Sequence, residues 1–160
     1  MVPRRIIWHH SADLAPIDQL DKINAYHKMR DFPISSLGYY VGYHWLIEKD
    51  GTVIQTRKET EVGAHDAGEN ADSLGICLAG NFDIELPSEL QIAATTKLLG
   101  QIRNRWSIKI TRIEPHRWDD ETNCPGQLID DDWLINQYIA REMYGYGKIF
   151  LWLAKKFNLL

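Results

Sequence analysis

The chain has 160 residues, of which 44% are hydrophobic and 25% charged, and its formal net charge is −4. This size and composition are typical of a single globular domain with its own core, and they suggest neither a disordered chain nor a membrane bundle. The acidic balance, without a basic run in the body of the chain, disfavours a nucleic-acid partner. We therefore expect one domain whose function does not involve nucleic acid.

The N-terminal segment predicts a buried strand that ends in polar groups. Ile6, Ile7 and Trp8 form a short apolar run, and His9 and His10 follow directly. Because side chains alternate along a strand, the two histidines point to opposite faces, and only one of them can easily join a site. Taken alone, either histidine is better explained as a hydrogen-bonded core residue.

A helix and a β-hairpin are predicted next. After Pro16, apolar residues recur at intervals of three and four as far as His27, which indicates an amphipathic helix with His27 at its boundary rather than a ligand. Residues 43–48 are typical of a strand. An Asp-Gly pair at 50–51 favours a hairpin turn, and residues 53–56 form the returning strand.

Residues 61–70 are rich in glycine and polar groups and lack periodicity, which predicts a surface loop. His65 in this loop fits equally well a group that lines a ligand groove and a solvated loop residue. A short strand through 76–78 follows. It contains Cys77, which we interpret as a free core thiol rather than as a metal ligand or half of a disulfide with Cys124.

A long helix is predicted to begin at Ser88, an N-cap whose capping box is completed by Gln91. Its core-facing side is predicted from apolar residues that recur every four positions, namely Leu90, Ala94, Leu98, Ile102 and Trp106. Acidic residues 130–132 suit the N-terminus of a last helix, whose apolar contacts would be Trp133, Leu134 and Tyr138. Strands interleaved with helices predict an α/β fold.

The segment 114–126 interrupts this pattern with residues that break helices and strands. It carries His116 and Cys124, and a cysteine followed by Pro125 and Gly126 is poorly placed as core filling. A neutral imidazole and a thiolate are two metal ligands that need at least one more partner. A histidine at the end of the first strand can supply it.

Two imidazoles and one thiolate suit Zn²⁺, and three protein ligands leave a fourth position for water, as in catalytic zinc sites. Such an ion lowers the pKa of water from about 15.7 towards 7 and polarises a carbonyl, which is the equipment for hydrolysing an amide. Tyr43 is a candidate donor to the oxyanion, although its position also fits an ordinary half-buried aromatic residue. A structural zinc site would need a fourth protein ligand, and none lies at suitable spacing.

Several short segments occur together in an order and at spacings known from one enzyme family. They are residues 8–12, 42–45, 50–52, 62–65, 73–78, and His116 with the Cys-Pro pair at 124–125. With them, the chain resembles the zinc-dependent N-acetylmuramoyl-L-alanine amidases from about residue 6 to about residue 138. That family includes small bacteriophage endolysins and the peptidoglycan recognition proteins.

The resemblance implies a single domain with a mixed central β-sheet flanked by helices, and one zinc ion held by His9, His116 and Cys124. It also implies that Tyr43 stabilises the transition state. Thr122 stands where the phage enzymes commonly have lysine and many recognition proteins have threonine. A cationic group is therefore not expected to assist catalysis at this position, although the threonine hydroxyl can orient water or substrate.

The implied reaction is hydrolysis of the amide between the lactyl group of N-acetylmuramic acid and the L-alanine that begins the stem peptide. Water activated by zinc attacks, and no other cofactor is needed. His65 and His44 are implied to bind the substrate, peptidoglycan. The alternative is a module that binds peptidoglycan without cutting it, as family members without the cysteine do. The presence of Tyr43 and Cys124 favours an enzyme, a phage or prophage endolysin.

Two expectations concern the ends of the chain. Residues 4–5 are followed by too few apolar residues for a signal peptide, so we expect the protein to be made in the cytoplasm and to reach the cell wall on host lysis. We also expect it to be a monomer. Residues 1–146 are assigned to the catalytic domain and 147–160 to a basic amphipathic segment. This segment is shorter than the roughly 20 apolar residues that span a bilayer. We expect it to bind an anionic membrane or lipopolysaccharide, or to dock on the domain as a terminal helix.

Overall fold

The computed structural model describes residues 1–15 and 18–142. In these ranges the chain forms one five-stranded sheet with helices packed on both faces. The predicted α/β fold with a mixed central sheet is confirmed. The segment 147–160 lies outside the described residues, so its separation from the catalytic domain and its membrane contact stay predictions. Within the part of the chain that the structure describes, no helix is long and apolar enough to cross a membrane.

Five strands form the sheet: β1 (Arg5–His10), β2 (Trp45–Ile47), β3 (Val53–Gln55), β4 (Ser73–Leu78) and β5 (Ile113–Pro115). They lie side by side in the order β3-β2-β4-β1-β5. β1 pairs in parallel with β4 and β5, and β2 pairs in parallel with β4, whereas β3 returns antiparallel to β2. β1 is thus flanked by a strand on each side, and all its residues are buried.

The hairpin predicted around the Asp-Gly pair is confirmed, with shorter strands. Gly51 has a φ of +86°, a conformation that glycine adopts without strain, and the turn joins β2 to β3. Tyr43 and His44, which were predicted to lie in the strand, instead precede β2. Tyr43 therefore belongs to the connection that enters the sheet, beside the ends of the neighbouring strands.

Within residues 1–15 and 18–142, three α-helices accompany the sheet: α1 (Gln19–Met29), α2 (Glu89–Trp106) and α3, which includes residues 133–142. The predicted capping box of α2 is present. The Ser88 hydroxyl accepts the Gln91 backbone N–H at 3.0 Å, and the Gln91 side-chain oxygen accepts the Ser88 backbone N–H at 3.2 Å. These two bonds satisfy donors that would otherwise be left free at the start of the helix.

The predicted core-facing side of α2 is wrong at Leu90, which is 62% exposed. A helix has about 3.6 residues per turn, so a step of four residues overshoots a full turn by about 40°, and a row built on that step winds around the helix. The buried apolar residues of α2 follow the true period and are Ile92, Leu98, Leu99 and Ile102. Leu90 in the first turn therefore points to solvent, whereas Ile92 in the same turn points to the core.

The sheet buries a different cluster on each face. One face packs against α2 and α3, with Trp8 of β1 stacked on Trp133 at 6.0 Å between ring centroids. The other face packs Leu46 and Cys77 against residues of α1 and the Tyr43 side chain. Cys77 is fully buried and free, as predicted. Because Trp8 faces α2 and α3, strand alternation places His9 on the opposite, α1 face.

Candidate metal centre

The structure brings the three predicted ligands together at the ends of β1 and β5. The register pairs Trp8 with Pro115, so His9 and His116 follow at neighbouring positions, and their ring centroids lie 4.4 Å apart. Cys124 reaches the same point from the loop that follows. The candidate ligand atoms of His9, His116 and Cys124 all lie within 4.8 Å of one another.

The spacing of the ligand atoms, and a ring nitrogen that has no hydrogen-bond partner among the described residues, fit a zinc ion. Nδ1 of His9 lies 3.8 Å from Sγ of Cys124, against roughly 3.5 Å for a nitrogen and a sulfur ligand of tetrahedral zinc. Nδ1 of His116 is buried and has no hydrogen-bond partner among the described residues. A buried nitrogen without a partner is rare, and a metal would satisfy it. These residues can therefore hold one ion and leave a fourth position open.

A chain of hydrogen bonds determines which nitrogen of His9 faces the cluster. The Ser73 hydroxyl donates to the Glu69 carbonyl at 2.6 Å, so it accepts from Nε2–H of His65, 3.4 Å away. Nδ1 of His65 then carries no proton and accepts from Nε2–H of His9 at 3.2 Å. The lone pair of His9 Nδ1 is consequently free to bind a metal, with His65 holding the opposite edge of the ring.

His65 lies in a slot lined by two glycines. A Cβ atom added at Gly75 would lie 2.5 Å from the His65 ring, and one added at Gly63 would lie 2.6 Å from it. The ring can approach β4 only because neither position carries a side chain. His65 therefore supports His9, a role contained in neither sequence-based interpretation, groove lining or solvated loop residue.

Burial controls the protonation of His9 and Cys124. Desolvation, followed by the nearby His65 and His116, lowers the pKa of His9 well below its ordinary value. Desolvation also raises the pKa of the Cys124 thiol to about 12. The imidazole is thus neutral and ready to bind a cation, whereas the thiol becomes a thiolate only when a cation compensates its charge. Binding of a metal would therefore be coupled to loss of the Cys124 proton.

The loop that carries Cys124 is fixed through its backbone. The Arg117 N–H donates to the Cys124 carbonyl at 2.9 Å, and the Arg117 guanidinium donates to the carbonyls of Gly126 and Ile129 at 2.8 and 3.0 Å. The Thr122 hydroxyl accepts the Cys124 N–H at 3.1 Å. Thr122 thus shapes the turn that presents the thiol, and a direct part for it in catalysis stays a prediction.

Tyr43 approaches the cluster from the α1 face. Its ring centroid lies 5.0 Å from that of His9. Desolvation, with the neighbouring Cys77 and Cys124, raises the pKa of Tyr43 well above its ordinary value. The phenol therefore keeps its proton at any working pH and can donate a hydrogen bond. His27 supports this segment, since its Nδ1 accepts the Gly42 N–H at 3.1 Å.

His44, predicted to bind substrate, is fully buried. Its Nδ1 accepts the Gly75 N–H at 3.0 Å, and its Nε2–H donates to the Glu61 carbonyl at 2.9 Å. Both ring nitrogens are thus occupied by the backbone, and no polar atom of the side chain is left for a ligand. The geometry gives no support to a substrate contact, and it assigns His44 a structural role between β4 and the loop that carries His65.

The comparisons with known proteins agree with this geometry. The family described as N-acetylmuramoyl-L-alanine amidase matches residues 1–127. The chain belongs to this amidase family. The resemblance drawn from the sequence motifs is therefore confirmed.

Individual relatives of this amidase-family chain include phage and animal proteins. The endolysin of Klebsiella phage KP32 is 38% identical over 144 residues, which cover 86% of this chain and 90% of the relative. Peptidoglycan-recognition protein SC2 of Drosophila melanogaster is 36% identical over 129 residues, or 76% of this chain and 67% of the relative. The solved N-acetylmuramoyl-L-alanine amidase LysC from Clostridium intestinale URNW has a TM-score of 0.70 and 33% identity, covering 79% of this chain and 78% of that one.

The buried histidines of this amidase-family chain predict a loss of stability in mild acid. Burial lowers the pKa values of His27 and His44 to about 4, from an ordinary 6.5. Between these values the unfolded chain binds more protons than the folded one, so the free energy of unfolding falls as the pH falls. The loss approaches about 3 kcal/mol for each histidine.

Urea unfolding from pH 7 to pH 4.5 in the presence of a chelator measures this loss without a contribution from bound metal. In His27→Asn the amide oxygen takes the position of Nδ1 and can still accept the Gly42 N–H, and no titrating ring remains. We therefore expect its stability to change less with pH than that of the wild type. Parallel pH profiles for the two proteins would contradict the assignment.

Two residues beside the cluster were not predicted. Asp66 has a side chain that is only 1% exposed, and one of its oxygens lies 3.9 Å from Nε2 of His116. Ser73 completes the chain of hydrogen bonds behind His9. Asp66 stands in a polar, glycine-rich loop, where an aspartate is ordinarily solvated, and Ser73 begins an apolar strand. Their local sequence therefore carries no signal of a role near a metal.

A buried arginine connects the segments that carry the site. The Arg5 guanidinium, on β1, contacts the carboxylates of Glu114 and Asp119 at 3.3 and 3.4 Å, in β5 and in the loop between the two C-terminal ligands. It also contacts Asp72 at 3.4 Å and pairs with Glu69, both in the segment between His65 and β4. The Arg5 side chain thus connects β1 to β5, to the loop between His116 and Cys124, and to the segment between His65 and β4.

Proposed function

We propose that this member of the amidase family is a zinc-dependent hydrolase that cleaves the amide between N-acetylmuramic acid and L-alanine in peptidoglycan. The observation that carries the proposal is the three-ligand cluster of His9, His116 and Cys124 with Tyr43 beside it. Three protein ligands with a free fourth position are typical of catalytic zinc, whereas structural zinc sites have four.

The side chains of this cluster suit attack on an amide. When bound, zinc activates water and polarises the carbonyl that is to be attacked. His9, oriented by His65, offers a neutral nitrogen, and Cys124 offers a sulfur whose negative charge would balance part of the charge of the ion. His9 is buried and Cys124 is half-buried, which limits the weakening of these interactions by bulk water.

Tyr43 is proposed to donate its hydroxyl proton in a hydrogen bond to the carbonyl oxygen as that oxygen becomes negative. The raised pKa of Tyr43 supports this role, because a phenol that stays protonated remains a donor throughout the reaction. A donor held in place before the reaction stabilises the transition state more than the substrate, which raises the rate rather than the affinity.

The biological setting that we propose is lysis by a phage or prophage. The similarity to the phage KP32 endolysin extends over nearly the whole of both chains and supports this setting. The similarity to a peptidoglycan-recognition protein favours the second candidate, a module that binds peptidoglycan without cutting it. The presence of Cys124 as a third ligand favours the enzyme.

Purified peptidoglycan separates the two candidates. With zinc-loaded protein we expect soluble stem peptides that have a free L-alanine N-terminus, detected by mass spectrometry and amine labelling. A chelator should stop their release, and added zinc should restore it. Peptidoglycan whose stem peptides have already been removed serves as the control and should release nothing. Protein that binds zinc and sediments with peptidoglycan, yet releases no peptide, would establish the binding module instead.

A further inference from the structure

His116 has two carboxylates near its outer nitrogen. Nε2 lies 3.9 Å from an oxygen of Asp66 and 3.9 Å from an oxygen of Asp120. The two carboxylates differ in their surroundings, because the Asp66 side chain is 1% exposed and the Asp120 side chain 60% exposed. Water satisfies the oxygens of an exposed carboxylate, whereas a buried carboxylate depends on donors from the protein.

Asp66 has no such donor in the structure. Both of its carboxylate oxygens are buried, and neither has a hydrogen-bond partner within residues 1–15 and 18–142. The loop is instead held by Asn70, whose side-chain oxygen accepts the backbone N–H groups of His65 and Asp66 at 2.8 and 3.2 Å. The fold therefore keeps the Asp66 carboxylate beside His116 through backbone contacts, at the cost of leaving its own oxygens unsatisfied.

His116, like Asp66, has a buried polar atom without a hydrogen-bond partner among the described residues, namely its Nδ1. A cation at Nδ1 would require the single ring proton to be on Nε2, and it would make that N–H a stronger donor. The N–H would then face the Asp66 carboxylate. A single ion would thus bind the unpartnered Nδ1 of His116. By fixing the ring proton on Nε2, it would also provide a hydrogen-bond donor for the Asp66 carboxylate.

We infer that Asp66 is a positioning residue of the candidate metal centre, which accepts a hydrogen bond from Nε2–H of His116 when a metal is held at Nδ1. The inference rests on the zinc site of the proposed function. In this arrangement the two histidine ligands have different hydrogen-bond partners. Neutral His65 stands behind His9, and a carboxylate stands behind His116, which makes His116 the more electron-rich ligand.

The first test compares Asp66→Asn with the matched control Asp120→Asn. Each substitution replaces a carboxylate at the same distance from Nε2 by a neutral amide, but only the first removes a buried negative charge. We expect Asp66→Asn to weaken zinc binding about 10- to 100-fold, measured by competition with a chromogenic chelator. Asp120→Asn should weaken it by less than about fivefold, as expected for a solvent-exposed charge.

The second readout separates positioning from a general structural role. Without metal, Asp66→Asn should melt at the same temperature as the wild type or at a higher one, because the substitution removes an unsatisfied buried carboxylate. With zinc, it should gain less thermal stability than the wild type does. In the cobalt-substituted protein, the shifted N–H resonance of His116 should exchange faster with solvent in Asp66→Asn than in Asp120→Asn.

Three results would overturn the inference: unchanged zinc affinity in Asp66→Asn, an equal loss in Asp120→Asn, or a lower melting temperature of metal-free Asp66→Asn with normal zinc affinity. Zinc binding by the wild type shows whether a failed test rules out the proposed zinc site or only the role of Asp66. If the wild type binds no zinc, the proposed function fails together with this inference. If the wild type binds zinc and Asp66→Asn binds it equally well, only the role of Asp66 fails.

Discussion

Replacement of Cys124 by alanine is expected to abolish stoichiometric zinc binding and to slow stem-peptide release at least about 1,000-fold. The substitution removes the only anionic ligand of the cluster and leaves two neutral imidazoles, which hold a divalent cation poorly. The ion would then be too weakly bound to supply several kcal/mol of transition-state stabilisation. Zinc content by elemental analysis and the rate of peptide release measure the two effects.

Cys77→Ala is the matched control for this experiment. Cys77 is the other free cysteine and pairs with His9 across β1 and β4, but it is not part of the ligand cluster. This variant should retain one zinc ion and a rate within about tenfold of the wild type, with some loss of stability from the small cavity. If Cys124→Ala kept wild-type zinc affinity, the ligand set would be wrong.

Replacement of Tyr43 by phenylalanine is expected to lower kcat about 100- to 1,000-fold while KM and zinc affinity change little. The phenylalanine ring preserves the packing against His9 and removes only the hydroxyl group. An interaction made mainly with the developing oxyanion affects the transition state more than the bound substrate. Steady-state rates on a soluble muropeptide, together with zinc competition, provide the measurement.

Tyr26→Phe provides the control for loss of a phenol nearby. Tyr26 lies on α1 and is 56% exposed, and its hydroxyl contacts Arg30 rather than the cluster. Its removal should leave kcat within about threefold of the wild type, because exposed substitutions rarely have large effects. A loss of zinc affinity in Tyr43→Phe as large as the loss of rate would indicate that Tyr43 supports the ligands instead of the oxyanion.

The parts of the fold that depend on local sequence were predictable. The capping box at Ser88, the Asp-Gly hairpin and the strand before His9 each follow from a short pattern with a direct physical cause. The failure at Leu90 also has a local cause, since a step of four residues imitates helical periodicity over two turns but departs from it over five. A spacing pattern therefore predicts the buried face of a helix only where its step matches the helical repeat of about 3.6 residues along the whole helix.

Without the family resemblance, the candidate site was predictable only as a set of ligand types. Strand alternation left His9 and His10 as alternatives, because it separates them without saying which face holds the metal, and only the family resemblance implied His9. The register of β1 with β5 places His9 beside His116, whereas His10 faces Phe82 and accepts its N–H at 3.1 Å. That choice depends on strand pairing across more than one hundred residues, which no local pattern contains.

The roles of His44 and Asp66 could not be predicted for a related reason. Each side chain is buried by segments that are distant in sequence, and its hydrogen bonding depends on that packing. His44 uses both nitrogens on backbone groups, while Asp66 has buried oxygens without a donor among the described residues. A polar residue in a turn-rich segment looks the same in sequence whether it is solvated, committed to the backbone or held beside a metal.

The pairing of the first strand with the last has a further consequence for the proposed ion. His9 and Cys124 are separated by 115 positions along the chain, and among the strands of the described residues β5 has no neighbour in the sheet except β1. A metal held between them would act as a cross-link that closes almost the whole described chain into one loop. By the chain-entropy estimate for cross-links, a permanent bond closing a loop of this length restricts the unfolded state by nearly 5 kcal/mol. The same ion that serves catalysis would thus fasten an edge strand to the sheet, so that its removal would weaken the scaffold as well as the chemistry.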